Sequence, residues 1–274
     1  MKSSPANPLA PFVDLYRHRT LLEQFTRRTI EQRHRGSFLG LLWAVIAPLL
    51  QLGIYSLVFG YFFKGKFGQI PNETGVDYAL AVFLGLILFQ FLSEVMALTP
   101  TTIVTQPNFV KKVVFPLEVL PAAVVGAAGF NALISLVLAL IGTALLGHGV
   151  HLAAFWLVLI LPPVALIALG CAWFLAALGV FIRDIANAMP FVVQALLYMS
   201  AVFFPVSWIP ATKWGTLLRL NPMLQAVESA RRAVVWHLPV AGKSIAYLWV
   251  AGLLICLFGY VSFRKLKPAF ADVI

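Results

Sequence analysis

Long apolar runs alternate with short polar breaks along this chain. The first run, Phe38 to Phe63, carries no charge, and a membrane-spanning helix needs about 20 such residues. Five more follow: Tyr78 to about Val104, Val119 to Leu146, Leu152 to Ile182, Ile185 to about Pro205, and Ser244 to Phe263. The run from Leu152 to Ile182 has 31 residues and contains Pro162 and Pro163. Two crossings would take about 40 residues, so one long helix is predicted, kinked or tilted. The pattern predicts an all-α integral membrane protein with six transmembrane helices.

Three polar stretches complete the pattern. Over residues 12–35, Leu15, Leu22, Phe25 and Thr29/Ile30 recur at roughly helical spacing, with Arg17, Arg19, Arg27, Arg28, Arg33 and Arg35 on the other faces. This segment is too charged to span and suits an amphipathic interface helix in the headgroup layer; a solvated cytoplasmic helix is the plainer reading. Residues 1–37 thus form a cytoplasmic segment, and 38–274 the transmembrane domain. Lys64 to Asp77, with its glycines and Pro71, reads as turns. Val206 to Lys243 contains Trp208, Pro210, Trp214, the turn signal Asn221–Pro222, and then LQAVESARRAVVW. It predicts two short helices that enter the membrane and return, a re-entrant hairpin at about 207–242. Backbone at such a turn must be enclosed by protein or water.

Composition agrees: 61% of the 274 residues are hydrophobic and 11% charged, against about 25% charged in soluble domains. The net charge of +10 is a topology signal rather than a nucleic-acid footprint. With both termini inside, inner segments hold 13 Lys/Arg and outer segments seven, the expected bias. Basic flanks also attract membrane lipids. Cys171 and Cys256 lie inside apolar runs and read as small buried residues. The N-terminus lacks the short apolar stretch of a cleavable signal peptide.

Candidate chemistry is sparse. HLPVAGKS, residues 237–244, ends like a phosphate-binding loop, but His237 replaces the first glycine and no strand–turn–helix context surrounds it. The five histidines are scattered, and His148 with His151 reads as a surface turn. The chain is therefore expected to be no enzyme, with no metal and no cofactor of its own; ATP and magnesium would be bound by another chain. On the first span, Gln51, Tyr55, Phe59 and Phe62 share one helical face; on the fifth, Asn187, Phe191, Gln194 and Tyr198 do the same. Amides in hydrocarbon need partners, and amide plus aromatic faces suit a sliding carbohydrate. Helix–helix packing seams are the equal alternative. Glu94 is the one carboxylate well inside a span; proton relays use chains of such groups, so an ion pair with a loop cation such as Lys111 or Lys112 is expected for it rather than a relay role. Arg231 and Arg232, with Glu228 nearby, are candidates for an anionic headgroup, a pyrophosphate or a gate, with interface anchoring the plain alternative.

Four ordered motifs carry a resemblance: RHRGSFLGLLWAVIAPLL at the first span, NFVKKVVFPLEVLP after the second, RDIANAMPFVVQALLYMSAVFFP in the fifth and LNPM after it. The chain resembles the membrane subunit of ABC-type polysaccharide exporters, the family of O-antigen, capsule and teichoic-acid permeases. The resemblance implies a homodimer in the bacterial inner membrane, partnered by two nucleotide-binding ATPase subunits. It implies a coupling segment at Thr105 to Pro116, with Phe109, Lys111, Lys112 and Phe115 receiving the push. It also implies a channel lined by spans one and five, and a glycan on a lipid pyrophosphate carrier as cargo, moved outward. The rivals are an ABC exporter of a drug or lipid, and a membrane-embedded enzyme acting on lipid-linked sugars. The enzyme would need clustered intramembrane acids or histidines.

Overall fold

The computed structural model describes residues 10–62, 65–111, 115–149 and 151–274, and among them every regular element is helical. Lys112 lies outside the described residues. Five segments are long and apolar enough to cross a membrane: Gly40–Phe62, Gly75–Thr101, Val119–Leu146, Leu152–Phe181 and Gly242–Val273. The helices, in order, are α1 (Ala10–Arg17), α2 (Arg19–His34), α3 (Trp43–Tyr55, continued as a π-helix to Phe62), α4 (Gly75–Leu98) and α5 (Pro107–Lys111). They continue as α6 (Val119–Leu146), α7 (Leu157–Phe181), α8 (Ile185–Met199), α9 (Lys213–Arg219), α10 (Pro222–Val234), α11 (Gly242–Leu266) and α12 (Phe270–Val273).

The expected run Ile185 to Pro205 is helical only as far as Met199. Fifteen residues at about 1.5 Å each reach about 22 Å, short of a hydrocarbon layer of roughly 30 Å. Ala201 then adopts φ 51°, a left-handed conformation that ends a helix. The expected interface helix is likewise two pieces, α1 and α2, separated at His18.

The bundle is organised around α4. In its spanning window 83% of residues are buried, against 11% for the segment containing α3. A capping box fixes where α4 begins. The Thr74 hydroxyl accepts from the Asp77 amide at 3.2 Å, and the Asp77 carboxylate accepts from the Thr74 amide at 2.9 Å. Around α4 stand α3, α6, α7, α8 and α10.

Small residues let α7 and α11 approach backbone to backbone. A Cβ on Gly170 would lie 2.2 Å from the Ile255 carbonyl oxygen, and one on Gly259 would lie 2.0 Å from that of Gly170. In lipid, where apolar burial between helices gains little, such close van der Waals contact holds helices together. Pro162 and Pro163 sit within α7, which remains one helix. Pro163 has no amide to bond the Leu159 carbonyl four residues back. The Trp249 indole on α11 donates to that carbonyl instead, at 3.2 Å.

A second core gathers at the end of the bundle that carries both termini. Ala10, Ile103, Leu120, Trp173, Phe263 and Phe270 are buried together there. Asp14 on α1 accepts from Tyr260 and, at 2.9 Å, from Arg264, both on α11. Lys267 reaches both oxygens of Glu118 at 2.9 Å, and the Trp173 indole donates to the Glu118 carbonyl at 3.0 Å.

Gly259→Leu should overpack the α7–α11 seam, costing about 1–3 kcal/mol and lowering the unfolding temperature in detergent. Gly53→Ala, where an added Cβ meets nothing within 4 Å, should leave that temperature unchanged or raise it.

Candidate functional site

The aromatic–amide stripe of α8 lies on an uncovered face. Asn187, Phe191, Gln194 and Tyr198 are all exposed, Phe191 at 79% and Tyr198 at 58% of full accessibility. Opposite them, buried Met189 and half-buried Leu196 and Leu197 turn toward the core. One side of α8 thus packs on the bundle while the other offers rings and amides to something outside the subunit.

The corresponding stripe on α3 is divided. Tyr55 stacks on Phe59 at 5.8 Å, and Phe59 leans on Tyr78 of α4 at 5.8 Å, so this stretch is partly a packing seam. Phe62 is exposed. Gln51 turns into a polar cavity between α3, α4 and α6. The two helices are linked by Phe203, just beyond α8, whose ring lies 6.0 Å from that of Phe59.

The segment after α4 joins α2 through a triangle of rings. Phe109 lies 5.5 Å from Phe25 and 4.6 Å from Phe115, and Phe25 lies 5.3 Å from Phe115. Phe25 is the α2 residue that helical spacing picks out, and its role as the joint between α2 and this segment was not legible from spacing alone. Lys111 is exposed beside the triangle. On its other side α2 rests on α6, where Gly126 leaves room for Thr26; a Cβ there would sit 2.8 Å from the Thr26 hydroxyl. The triangle, α2 and α6 are therefore joined by continuous contacts.

Arg231 does not meet a headgroup, because it is fully buried. Its Nε donates to the Ala81 carbonyl of α4 at 2.8 Å and one Nη to the Ala201 carbonyl at 2.9 Å. The other Nη donates to the Val202 carbonyl. Its guanidinium also lies 4.5 Å from the centre of the Phe67 ring. Tyr78 caps the next carbonyl, that of Phe203, at 2.7 Å. Three successive carbonyls left open where α8 unwinds are thus satisfied by side chains from α10 and α4. Arg232 is only half-buried and donates to the Pro239 carbonyl at 3.1 Å. Glu228 has a buried carboxylate oxygen with no hydrogen-bond partner among the described residues.

Glu94 pairs with Arg33 of α2, not with Lys111. Arg33 lies in the last turn of α2, and the packing of α2 on α6 brings it to Glu94 near the end of α4. His148 lies 3.2 Å from Asp77, and the His151 and His237 rings are 5.7 Å apart. Among the described residues no group of three or more His, Cys, Asp or Glu could hold a metal ion.

Comparison with known proteins adds what geometry alone does not. Residues 20–235 match the family described as ABC-2 type transporter. The chain is 30% identical over 251 residues to the O-antigen export system permease protein RfbA of Myxococcus xanthus, covering 87% of this chain and 92% of that protein. It is 24% identical over 255 residues to the RfbA protein of the same description from Klebsiella pneumoniae, covering 93% and 95%. It is 28% identical over 254 residues to the polysialic acid transport protein KpsM of Escherichia coli, covering 90% and 94%.

Arg231→Met should strand the two buried carbonyls of the unwound end, those of Ala201 and Val202, at about 1–3 kcal/mol for each one left unpaired, and lower the unfolding temperature in detergent. Arg231→Lys should rescue it only in part, because an ammonium cannot reproduce the planar fork.

Proposed function

The chain belongs to the ABC-2 type transporter family, and from that membership we propose that it is the membrane subunit of an ATP-driven polysaccharide exporter. The observation that carries this reading is the likeness, along nearly the whole chain, to permease and transport proteins named for O-antigen and polysialic acid. In this reading two copies of the chain work with two ATPase subunits, which bind ATP and magnesium. The cargo is a glycan on a lipid pyrophosphate carrier, moved outward across the bacterial inner membrane.

In this reading the chain crosses six times, and the meeting of α1 with the end of α11 supports it. Asp14 on α1 touches Arg264 near the end of α11, so the chain enters and leaves at one end of the bundle. Five crossings would separate the termini. The sixth passage is made by α8 together with residues 200–205, and the bond from Tyr78, near the start of α4, to Phe203 supports it. The α9–α10 pair then forms the re-entrant hairpin, with buried Arg231 supplying the polar partners that unwound backbone needs in hydrocarbon. In this reading both termini are cytoplasmic, which the positive flanks support.

The exposed faces of α8 and α3 line the channel when two copies come together. Aromatic rings offer flat surfaces for the C–H faces of sugars, and Asn187 and Gln194 offer donors and acceptors for hydroxyls. None of these groups fixes one register, which suits a chain that slides. Closure of the ATPase subunits on ATP presses on Lys111 and the segment around it. The Phe25–Phe109–Phe115 triangle passes the movement to α2, and α2 passes it to α6 and the helices beside it.

Two measurements test this. Purification from native membranes in mild detergent should yield a complex containing an ATPase, and deletion of the gene should trap lipid-linked polysaccharide inside the cell; accumulation of a different lipid or of a drug would overturn the cargo. Lys111→Glu combined with Lys112→Glu should cut export at least about tenfold through charge mismatch at the contact. The folded subunit should persist, and ATP hydrolysis should no longer be tied to export.

A further inference from the structure

Beneath α2 the bundle contains two adjoining polar cavities. One, of about 350 Å3, lies between α3, α4 and α6 and is lined by Gln51, Gln90, Asn131 and Ser135 among others. The second, of about 770 Å3, lies between α2, α4 and α6 and adds Thr29, Gln32 and Ser93. Arg33, Gln90, Glu94 and Asn131 line both. Among the described residues, Arg33 and Glu94 are their only charged lining groups.

Two features mark the place as a site. Gln51, Gln90 and Asn131 make no side-chain hydrogen bond to any described residue, and unpaired amides at the edge of hydrocarbon are costly. The ion pair is also incompletely used. Arg33 gives one Nη to one oxygen of Glu94, so most of its five donors and the second carboxylate oxygen remain available. Arg33 is half-exposed, while Glu94 lies deeper. The site therefore presents a donor fork toward the outside and an acceptor within, flanked by amide groups that can accept further bonds.

We propose that this cavity binds the phosphoethanolamine headgroup of a membrane phospholipid. The phosphate diester takes the free N–H groups of Arg33. The primary ammonium takes the free oxygen of Glu94 and the side-chain carbonyls of Gln90 and Asn131. A phosphoglycerol headgroup has no cation for Glu94 and brings a second anion beside it. A choline headgroup has the cation but no N–H to donate. The chain as a whole, at +10, attracts anionic lipid; this cavity, with one charge of each sign, selects a zwitterion instead. Ile87, Phe91 and Ala132 also border an apolar cavity of about 300 Å3 between α4, α6 and α7, so apolar surface adjoins the head site. Bound there, the lipid bridges α2 to α4 and α6 and belongs to the path that starts at the aromatic triangle. The proposal does not depend on the cargo.

The test is native mass spectrometry of the full chain, in its complex, released from bilayers that contain phosphatidylethanolamine, phosphatidylglycerol and phosphatidylcholine with the same acyl chains. Phosphatidylethanolamine should be retained about tenfold over either of the others, the ratio that about 1.4 kcal/mol of selective charge-assisted bonding gives. Arg33→Gln with Glu94→Gln, which keeps two amides in place of the ion pair, should abolish the preference. Should that variant fail to fold, Gln90→Leu with Asn131→Leu leaves the ion pair intact and should still lower phosphatidylethanolamine retention severalfold. Equal retention of all three lipids by the native chain, or an undiminished preference in a folded variant, would overturn the proposal.

Discussion

A helix that ends among buried groups leaves carbonyls in need of donors, and at the end of α8 Arg231 supplies them. Its guanidinium carries five N–H groups in a fixed fork, and the fork reaches α4 and the unwound end of α8 together. Burying a charge this way is costly unless every donor has a use, and the ring of Phe67 covers the face of the cation. Gly85 makes the arrangement sterically open, since a Cβ there would lie 2.6 Å from the guanidinium. The helix break, the placement of α10 and the position of the loop through Phe67 are all set by this one group.

The opposite end of the molecule is built on different physics. There the polar partners are charged side chains near water: Asp14 with Arg264, Glu118 with Lys267, Arg33 with Glu94. Each joins a segment outside the spanning helices, or just beyond one, to the bundle. The aromatic triangle at Phe25, Phe109 and Phe115 adds an apolar joint among them. Phe25 and Phe109 pack edge to face, and the other two pairs are tilted, geometries that aromatic pairs favour.

Between these ends, exposure divides the helices by role. α4 is surrounded on all sides, while α8 turns rings and amides outward. The chain by itself leaves Phe191 and Tyr198 uncovered. It belongs to the ABC-2 type transporter family and is similar to proteins named for O-antigen export and polysialic acid transport.

Much of this was legible in the residues. Runs of apolar side chains mark the spanning helices, because hydrocarbon tolerates no unpaired backbone over such lengths. The α8 stripe could be read from spacing, since a helical face is a local property. Long-range pairings could not. Glu94 was expected beside Lys111 or Lys112, yet the packing of α2 on α6 delivers Arg33 to it. Arg231 reads from its position as a surface cation, and only the convergence of α4, α8 and α10 makes it a buried clamp. The length of α8 was hidden for the same reason: Ala201 is apolar and helix-favouring by itself, and what holds it in a left-handed turn is a donor that lies 30 residues away in the chain. The sequence by itself determined the solvent, the helices and the faces they carry, because these rest on side chains within a few turns of each other. Tertiary structure decided which polar groups meet, because one buried donor can be satisfied only by whatever the packing brings within about 3 Å.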